Sequence, residues 1–363
     1  MSRSRSPPRL REPELTLFGP SGDDALTLEA LRELHAGPPR RPFLEPGSQG
    51  EVPNGTLCDW RVSDAEIRDD AHFRLAEKGA YRDLLYAANK TRRCDRCVFK
   101  EDTHEYFVDG VRAPWSGTTF SHFCEKHFDA EAVSARVARI PGWAAKRGLL
   151  HADGRPYDAR DIARSWSENG TSQSRRGTLM HWQVECHLNG YRVGEPRSPE
   201  FELFLFFERT FLRALGLTPW RTEMNLFHCG LRLAGQADLV CLDGRGDLVI
   251  LDWKRSREIK SCSPDGNMRA PLEHLPSCNR FTYYLQLNTY RHMLETEYDL
   301  RVSAMYIVVL HPEQRPYGPH VYAVPRMEAE INALAAHVGE LKGFCPAPRP
   351  GADAPFETAG LHF

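Results

Sequence analysis

In "GQADLVCLDGRGDLVILDWKRS" at 235–256, a run that otherwise reads as two buried strands, stand three ionisable residues: Asp238, Asp252 and Lys254. The stretch reads as two strands joined by the turn "DGRGD" (243–247), and with that turn centred on Arg245, antiparallel pairing sets Asp238 opposite Asp252. Opposed residues hold their Cβ atoms about 4.5–5.5 Å apart, and the period of two puts Lys254 on the same face as Asp252. Two carboxylates this close raise one another's pKa unless positive charge lies between them. A hard divalent cation meets that need, because Mg²⁺ takes oxygen ligands and keeps waters that can become nucleophiles. Lys254 would then orient or deprotonate the attacking water, or stabilise charge on a phosphate oxygen. The competing reading is an Asp–Lys ion pair at a sheet edge.

Two further pairs belong with this hairpin. "GTLMHWQVE" spaces Gly177, His181 and Glu185 four residues apart, so an imidazole and a carboxylate share one helical face and can reach one metal. "QLNTY" places Gln286 and Tyr290 one turn apart on the helix that follows the strands. Arg175 and Arg176 precede the His–Glu face, and Arg255, Arg257, Lys260 and Arg269 lie in a loop long enough, at 255–279, to guide a phosphate backbone.

The elements that must position these side chains are legible from periodicity. Helices are expected at about 129–140, 158–168, 175–189 and 199–215, and strands at 220–229, 231–242 and 247–254. A helix follows over "RFTYYLQLNTYRHMLETEY", then "VSAMYIVVLH" (302–311), an uninterrupted apolar run typical of a strand buried on both faces. A last helix is expected at 326–342. From 175 to 311 the order is helix, three strands, helix, strand, an α/β core with a mixed sheet. Upstream, "DDALTLEALRELH" carries a helical stripe, 37–56 is Pro/Gly-rich, and 63–90 reads as one or two helices capped by Ser63. "HEYFVDGVRAPWSGTTF" reads as a hairpin turning at Asp109-Gly110.

This organisation divides the chain into residues 1–60, largely disordered linker with one short helix; 61–170, a mainly helical N-terminal region with a β-hairpin; the core at 171–345; and a tail at 346–363. No apolar run approaches the length of about 18 residues needed for a membrane span, and the N-terminus lacks a secretory apolar stretch. The expectation is an intracellular protein, with nuclear, organellar and cytoplasmic compartments all open, whose 10 cysteines are reduced thiols. A net charge of −2 excludes a globally basic protein that coats nucleic acid, so any such site is local.

Taken together these residues resemble the PD-(D/E)XK nuclease superfamily, and within it the RecB-like exonuclease branch. That pattern is G-x3-H-x3-E on a helix, G-x-x-D on the second strand, D/E-x-K on the third and Q-x3-Y on the next helix. The chain supplies Gly177/His181/Glu185, Gly235/Asp238, Asp252/Lys254 and Gln286/Tyr290 in that order, across 175–311. The resemblance implies a restriction-endonuclease-like αβββαβ core and a metal-dependent phosphodiesterase. His181, Glu185, Asp238 and Asp252, with the peptide oxygen of Trp253, would hold one or two Mg²⁺ or Mn²⁺ ions. Lys254 would serve the water, Gln286 and Tyr290 would brace the site, and Glu223 matches a position often acidic in this branch. Arg175, Arg176, Arg255 and Arg257 are the expected contacts to substrate.

An iron–sulfur cluster of the kind found in some RecB-like nucleases is not expected, since only Cys345 follows the core. Cys94-x2-Cys97 and Cys124-x2-His127 form two half-sites able to bind Zn²⁺, against the plainer reading of a strand-to-helix junction capped by Asp129. The function expected is a deoxyribonuclease, an exonuclease in end processing, repair, recombination or replication. The alternatives are a structure-specific endonuclease and a catalytically silent nucleic-acid-binding protein that keeps the fold.

Overall fold

The computed structural model of the chain describes residues 12–21, 26–52, 83–91, 93–126, 128–195 and 197–342. In chain order the N-terminal elements are β1 (Thr16–Phe18), α1 (Leu28–Leu34), β2 (Glu51–Val52) and α2 (Leu84–Ala88), then β3 (Cys97–Lys100), β4 (Glu105–Val108), β5 (Val111–Arg112) and β6 (Trp115–Ser116). The helices α3 (Gly117–Ser121), α4 (Ala130–Ala138) and α5 (Ala159–Leu188) follow, then β7 (Arg192–Val193) and α6 (Pro199–Phe207). The core closes with β8 (Thr218–His228), β9 (Leu233–Leu242), β10 (Leu248–Lys254), α7 (Asn279–Glu297), β11 (Val302–Val309), β12 (His320–Ala323) and α8 (Glu328–Lys342). Most of the segment expected to be helical over 63–90, including its Ser63 cap, lies outside the described residues.

The expected mixed α/β architecture is what forms. One sheet runs β1-β12-β11-β10-β9-β6, with β8 on the other edge of β9; β10 and β11 are parallel, and β8, β9 and β10 form an antiparallel meander. Side-chain alternation along β10 explains why its sequence is apolar at nearly every position. Leu248 and Ile250 face the layer that holds α7 and α8, while Val249, Leu251 and Trp253 face the layer of α5 and α6. A strand covered on both faces has no room for a polar alternate row, so Asp252 and Lys254 stand out at its end.

Two findings differ from the sequence reading. The helices expected at 158–168 and 175–189 are one helix, α5, of 30 residues, started by a capping box between Asp158 and Asp161. Gly170 and the polar residues around it weaken the middle of that helix, but no proline removes a donor there, so propagation from both sides carries through. The division placed at 171 therefore falls inside an element. Residues 16–18, within the stretch read as linker, form β1 and pair in parallel with β12, extending the sheet by an edge strand.

The helix expected over 199–215 is α-helical to Phe207 and continues as a π-helical turn over Glu208–Leu212. The hairpin expected at Asp109-Gly110 forms, with Asp109 and Gly110 both at positive φ.

Candidate active site

The turn at 243–247 sets the geometry of everything near it. Asp243 accepts the backbone N–H groups of Arg245 and Asp247, fixing the turn, and the ladder pairs Leu248 with Leu242 through to Leu251 with Leu239. Asp252 and Asp238 are the next opposed positions, as the sequence register requires. Beyond Leu239 the two strands part: at Leu233–Ala234 the same edge of β9 is paired with β6 instead. At this fork the Asp238 carboxylate accepts the N–H of Trp253 at 2.8 Å, so it satisfies a donor that the ladder has released.

Glu223 arrives from the other side of β9. The β8–β9 pairs Thr222↔Leu239 and Met224↔Ala237 bracket it opposite Asp238, and its φ is +44°, a left-handed conformation inside a strand. That backbone costs a non-glycine residue about 1–3 kcal/mol and persists only where the surroundings hold it. His181 lies on α5 and reaches the same point, with Nδ1 3.6 Å from Asp238 Oδ2 and 3.8 Å from Glu223 Oε1. Ligand atoms of His181, Glu223 and Asp238 all lie within 4.8 Å of one another, and they are the only such group of three among the described residues. Burial works against a charged His181, but Asp238 and Glu223 outweigh it and raise the imidazole to about 9.

Next to this group sits a second one. Lys254 Nζ lies 2.5 Å from Asp252 Oδ2. Apart from this ion pair, neither oxygen of the 1 % exposed carboxylate has a hydrogen-bond partner among the described residues. Burial raises the Asp252 carboxyl to about 6 despite the ammonium beside it. Burial disfavours the Lys254 charge, yet Asp252 and Asp238 more than offset it, and the net shift is upward. Lys254 also donates to Gln286 Oε1 at 3.1 Å, and Gln286 Nε2 donates to the Tyr290 hydroxyl at 2.9 Å, a relay from β10 to α7.

The glycine of the G-x-x-D pattern is explained by that relay. A Cβ on Gly235 would stand 2.7 Å from Tyr290 Cε1, and one on Gly117 would stand 2.5 Å from the same atom. The Cε1 edge of the buried Tyr290 ring thus packs against two glycines, one on β9 and one on α3. Gly177 has no such neighbour within 4 Å.

Some expected site residues converge and others do not. His181, Asp238, Asp252, Lys254, Gln286 and Tyr290 meet at the fork. Glu223, taken as an accessory, lies in the tightest cluster. Glu185 is buried on the next turn of α5, and it and Asp252 lie outside that cluster. The Trp253 side chain turns away, packing edge-on against Phe204 and Phe207 at 5.5 and 5.7 Å, which leaves only its peptide at the site.

Arg255 is not a surface contact: its side chain is 9 % exposed, pairs with Glu200 at 2.8 Å and bonds Gln173. The end of β10 is pinned to α5 and α6 by this ion pair, and substrate has no direct access to the guanidinium. Arg257 is exposed and paired with Glu313 at 3.0 Å, while Arg175 and Arg176 are partly exposed on α5. The 255–279 loop docks on residues 124–126 through Arg269 N–H to Cys124 O at 2.7 Å and Lys126 N–H to Ser277 at 3.1 Å.

The zinc half-sites do not converge among the described residues. Cys94 Sγ accepts from Arg221 at 3.1 Å, Cys97 faces the Leu226 carbonyl, and Cys124 donates to Ala270 O at 3.2 Å. His127 lies outside the described residues. Asp129 does cap α4.

Sequence reasoning missed two aromatic residues here. Tyr106 on β4 has its hydroxyl pKa raised by burial and then by Glu223 and Asp238, and Lys254 Nζ sits 4.8 Å from the Tyr283 ring centroid. Tyr283 was recoverable, being one turn before Gln286 on the expected helix. Tyr106 was not, because only folding brings the hairpin over β9.

The donors present fit a divalent cation: one imidazole and two carboxylates within reach of a single ion, beside a buried carboxylate whose one described partner is an ammonium. The sequence profile of the PD-(D/E)XK nuclease superfamily matches residues 159–357, and the chain belongs to that superfamily. No curated protein matches it. Solved structures similar to it include that of SSO0001, 15 % identical over 62 % of this chain and 82 % of that one, with a TM-score of 0.24. Another is that of a "putative exonuclease" from Eubacterium rectale, 9 % identical over 75 % of this chain and 85 % of that one, with a TM-score of 0.29.

Proposed function

We propose that this nuclease is a metal-dependent deoxyribonuclease of the RecB-like branch, acting as an exonuclease in DNA end processing, repair, recombination or replication. The observation that carries the reading is the fork between β9 and β10, where the His181–Glu223–Asp238 cluster meets the buried ion pair of Asp252 and Lys254.

His181, Glu223, Asp238 and Asp252 would hold the ion or ions, with Glu185 and the Trp253 carbonyl completing the set. The imidazole favours Mn²⁺ at least as well as Mg²⁺. When bound, such an ion lowers the pKa of a water and screens the phosphate's charge. Lys254, kept cationic by its two carboxylate neighbours, donates to the water or to a non-bridging phosphate oxygen. Gln286 and Tyr290 fix the direction in which its Nζ points. The fixed orientation matters because a donor already aimed at developing charge needs no reorganisation during the reaction.

The test is incubation of the protein with 5′- and 3′-labelled single- and double-stranded DNA, RNA and a closed circle, with Mg²⁺ or Mn²⁺, beside Asp252→Ala and Lys254→Ala. Metal-dependent shortening of linear DNA, lost in both variants, is expected. Cleavage that both variants retain would remove the site assignment, and attack on the circle would exclude a strict exonuclease.

A further inference from the structure

A second cluster lies on α5, far from the fork. Trp166 packs against Phe128 and Trp143 at centroid distances of 5.6 and 6.3 Å, and the Arg147 guanidinium stacks over the Trp143 ring at 4.2 Å. These rings are not core residues. Phe128 is 56 % exposed, the neighbouring Ile140 is 50 % exposed, and Trp143 and Trp166 are half-buried. Around them Arg136, Arg139, Lys146 and Arg147 are all exposed, and no carboxylate occurs between Glu131 and Asp153. Asp129 and Glu131 border Phe128 on one side, but from 132 to 152 every charged side chain is basic, and an apolar surface with that basic edge on a chain of net charge −2 is complementary to an anion that also carries flat apolar faces.

The position relative to the catalytic cluster narrows the occupant. Trp166 and His181 share α5, about 22 Å apart along its axis and about 60° apart around it. The face between them carries Gly170, Ser174 and Gly177, and among the described residues a Cβ added at either glycine would meet nothing within 4 Å, so the helix surface is open at these two points along it. We propose that Phe128, Trp143 and Trp166, with Arg139, Lys146 and Arg147, form a stacking platform for single-stranded DNA, which passes from it along α5 to the fork. Bases stack on the rings and the arginines neutralise phosphates, a mode that tolerates any sequence. The proposal rests on the nuclease reading for the direction of travel, while the binding itself is independent of cleavage.

The experiment measures anisotropy of a labelled oligo(dT) with the full chain in EDTA, where binding is read without turnover. Trp143→Ala is expected to raise Kd by about 5- to 150-fold, the range for losing one base stack, and Trp143→Phe to stay near wild type. The exposed pair Arg139→Glu and Lys146→Glu, which leaves the rings intact, is expected to weaken binding and flatten its salt dependence by about 0.7 for each phosphate no longer neutralised. Unchanged affinity in both Trp143→Ala and the charge-reversed variant would overturn the platform, as would equal losses on blunt duplex and single strand. A wild type that cleaves nothing, with variants that still lose oligo(dT), would remove the nuclease reading and leave the platform standing.

Discussion

Gly235→Ala tests whether the braced Tyr290 ring governs the lysine. The added methyl would sit 2.7 Å from Tyr290 Cε1 and 3.4 Å from the Gly117 nitrogen, so it is wedged between the ring and the backbone of Gly117. Neither the ring nor the backbone can yield freely, so the substitution should behave as overpacking of a buried site and cost about 1–3 kcal/mol. The displaced ring carries the hydroxyl that holds Gln286, and Gln286 holds Lys254 Nζ.

Losing one hydrogen bond to a charged group is worth about 1.5–3 kcal/mol, so turnover should fall by roughly 10- to 150-fold beyond any effect of unfolding. Thermal unfolding in EDTA and initial cleavage rates in Mn²⁺ below the transition separate the two effects. In a Tyr290→Leu background, which lacks the clashing atom, Gly235→Ala should cost at least about 1 kcal/mol less. A Gly235→Ala protein with wild-type stability and rate, or a cost unchanged by Tyr290→Leu, would refute the reasoning.

Lys254→Met should keep the fold and lower turnover by about 10²–10³-fold, the usual effect of removing one preorganised donor, and a smaller loss measured at saturating Mn²⁺ would count against its role. Arg255→Ala should act on stability, since it strands the buried Glu200: a loss of about 3–5 kcal/mol in denaturant titration is expected, with no change in the salt dependence of DNA binding. Without metal, His181 is raised from 6.5 to about 9, so its contribution to stability is complete below about 6.5 and is lost as pH rises through 9. The difference in melting temperature between wild type and His181→Gln should therefore shrink over that window in EDTA. Mn²⁺ should then stabilise the wild type more at pH 9 than at pH 6.5, because less proton must be displaced. Inserting one residue after Arg245 should abolish cleavage while the hairpin still forms, because it moves Asp238 out of opposition to Asp252; circular dichroism and the cleavage assay check both halves.

Much of this site was legible before folding because its parts are local. The turn at 243–247 fixes the register of two adjacent strands, and that register alone opposes Asp238 and Asp252. Helical spacing similarly aligns His181 with Glu185 and Gln286 with Tyr290. What the sequence could not express is which neighbours those side chains meet. Glu223 enters the tight cluster through a left-handed backbone that no local pattern announces, and Arg255, charged and next to Lys254, is drawn into the interior by Glu200, which lies 55 residues away. Gly235 and Gly117 are plain glycines until α7 lays Tyr290 against them. The chain by itself determined the elements, their order and the acidic hairpin, since each depends on spacing within one or two elements. The choice of ligands, the bracing of Lys254 and the burial of Arg255 were decided by tertiary structure, because each depends on contacts whose partners are distant in sequence and are fixed only when the layers pack on the sheet.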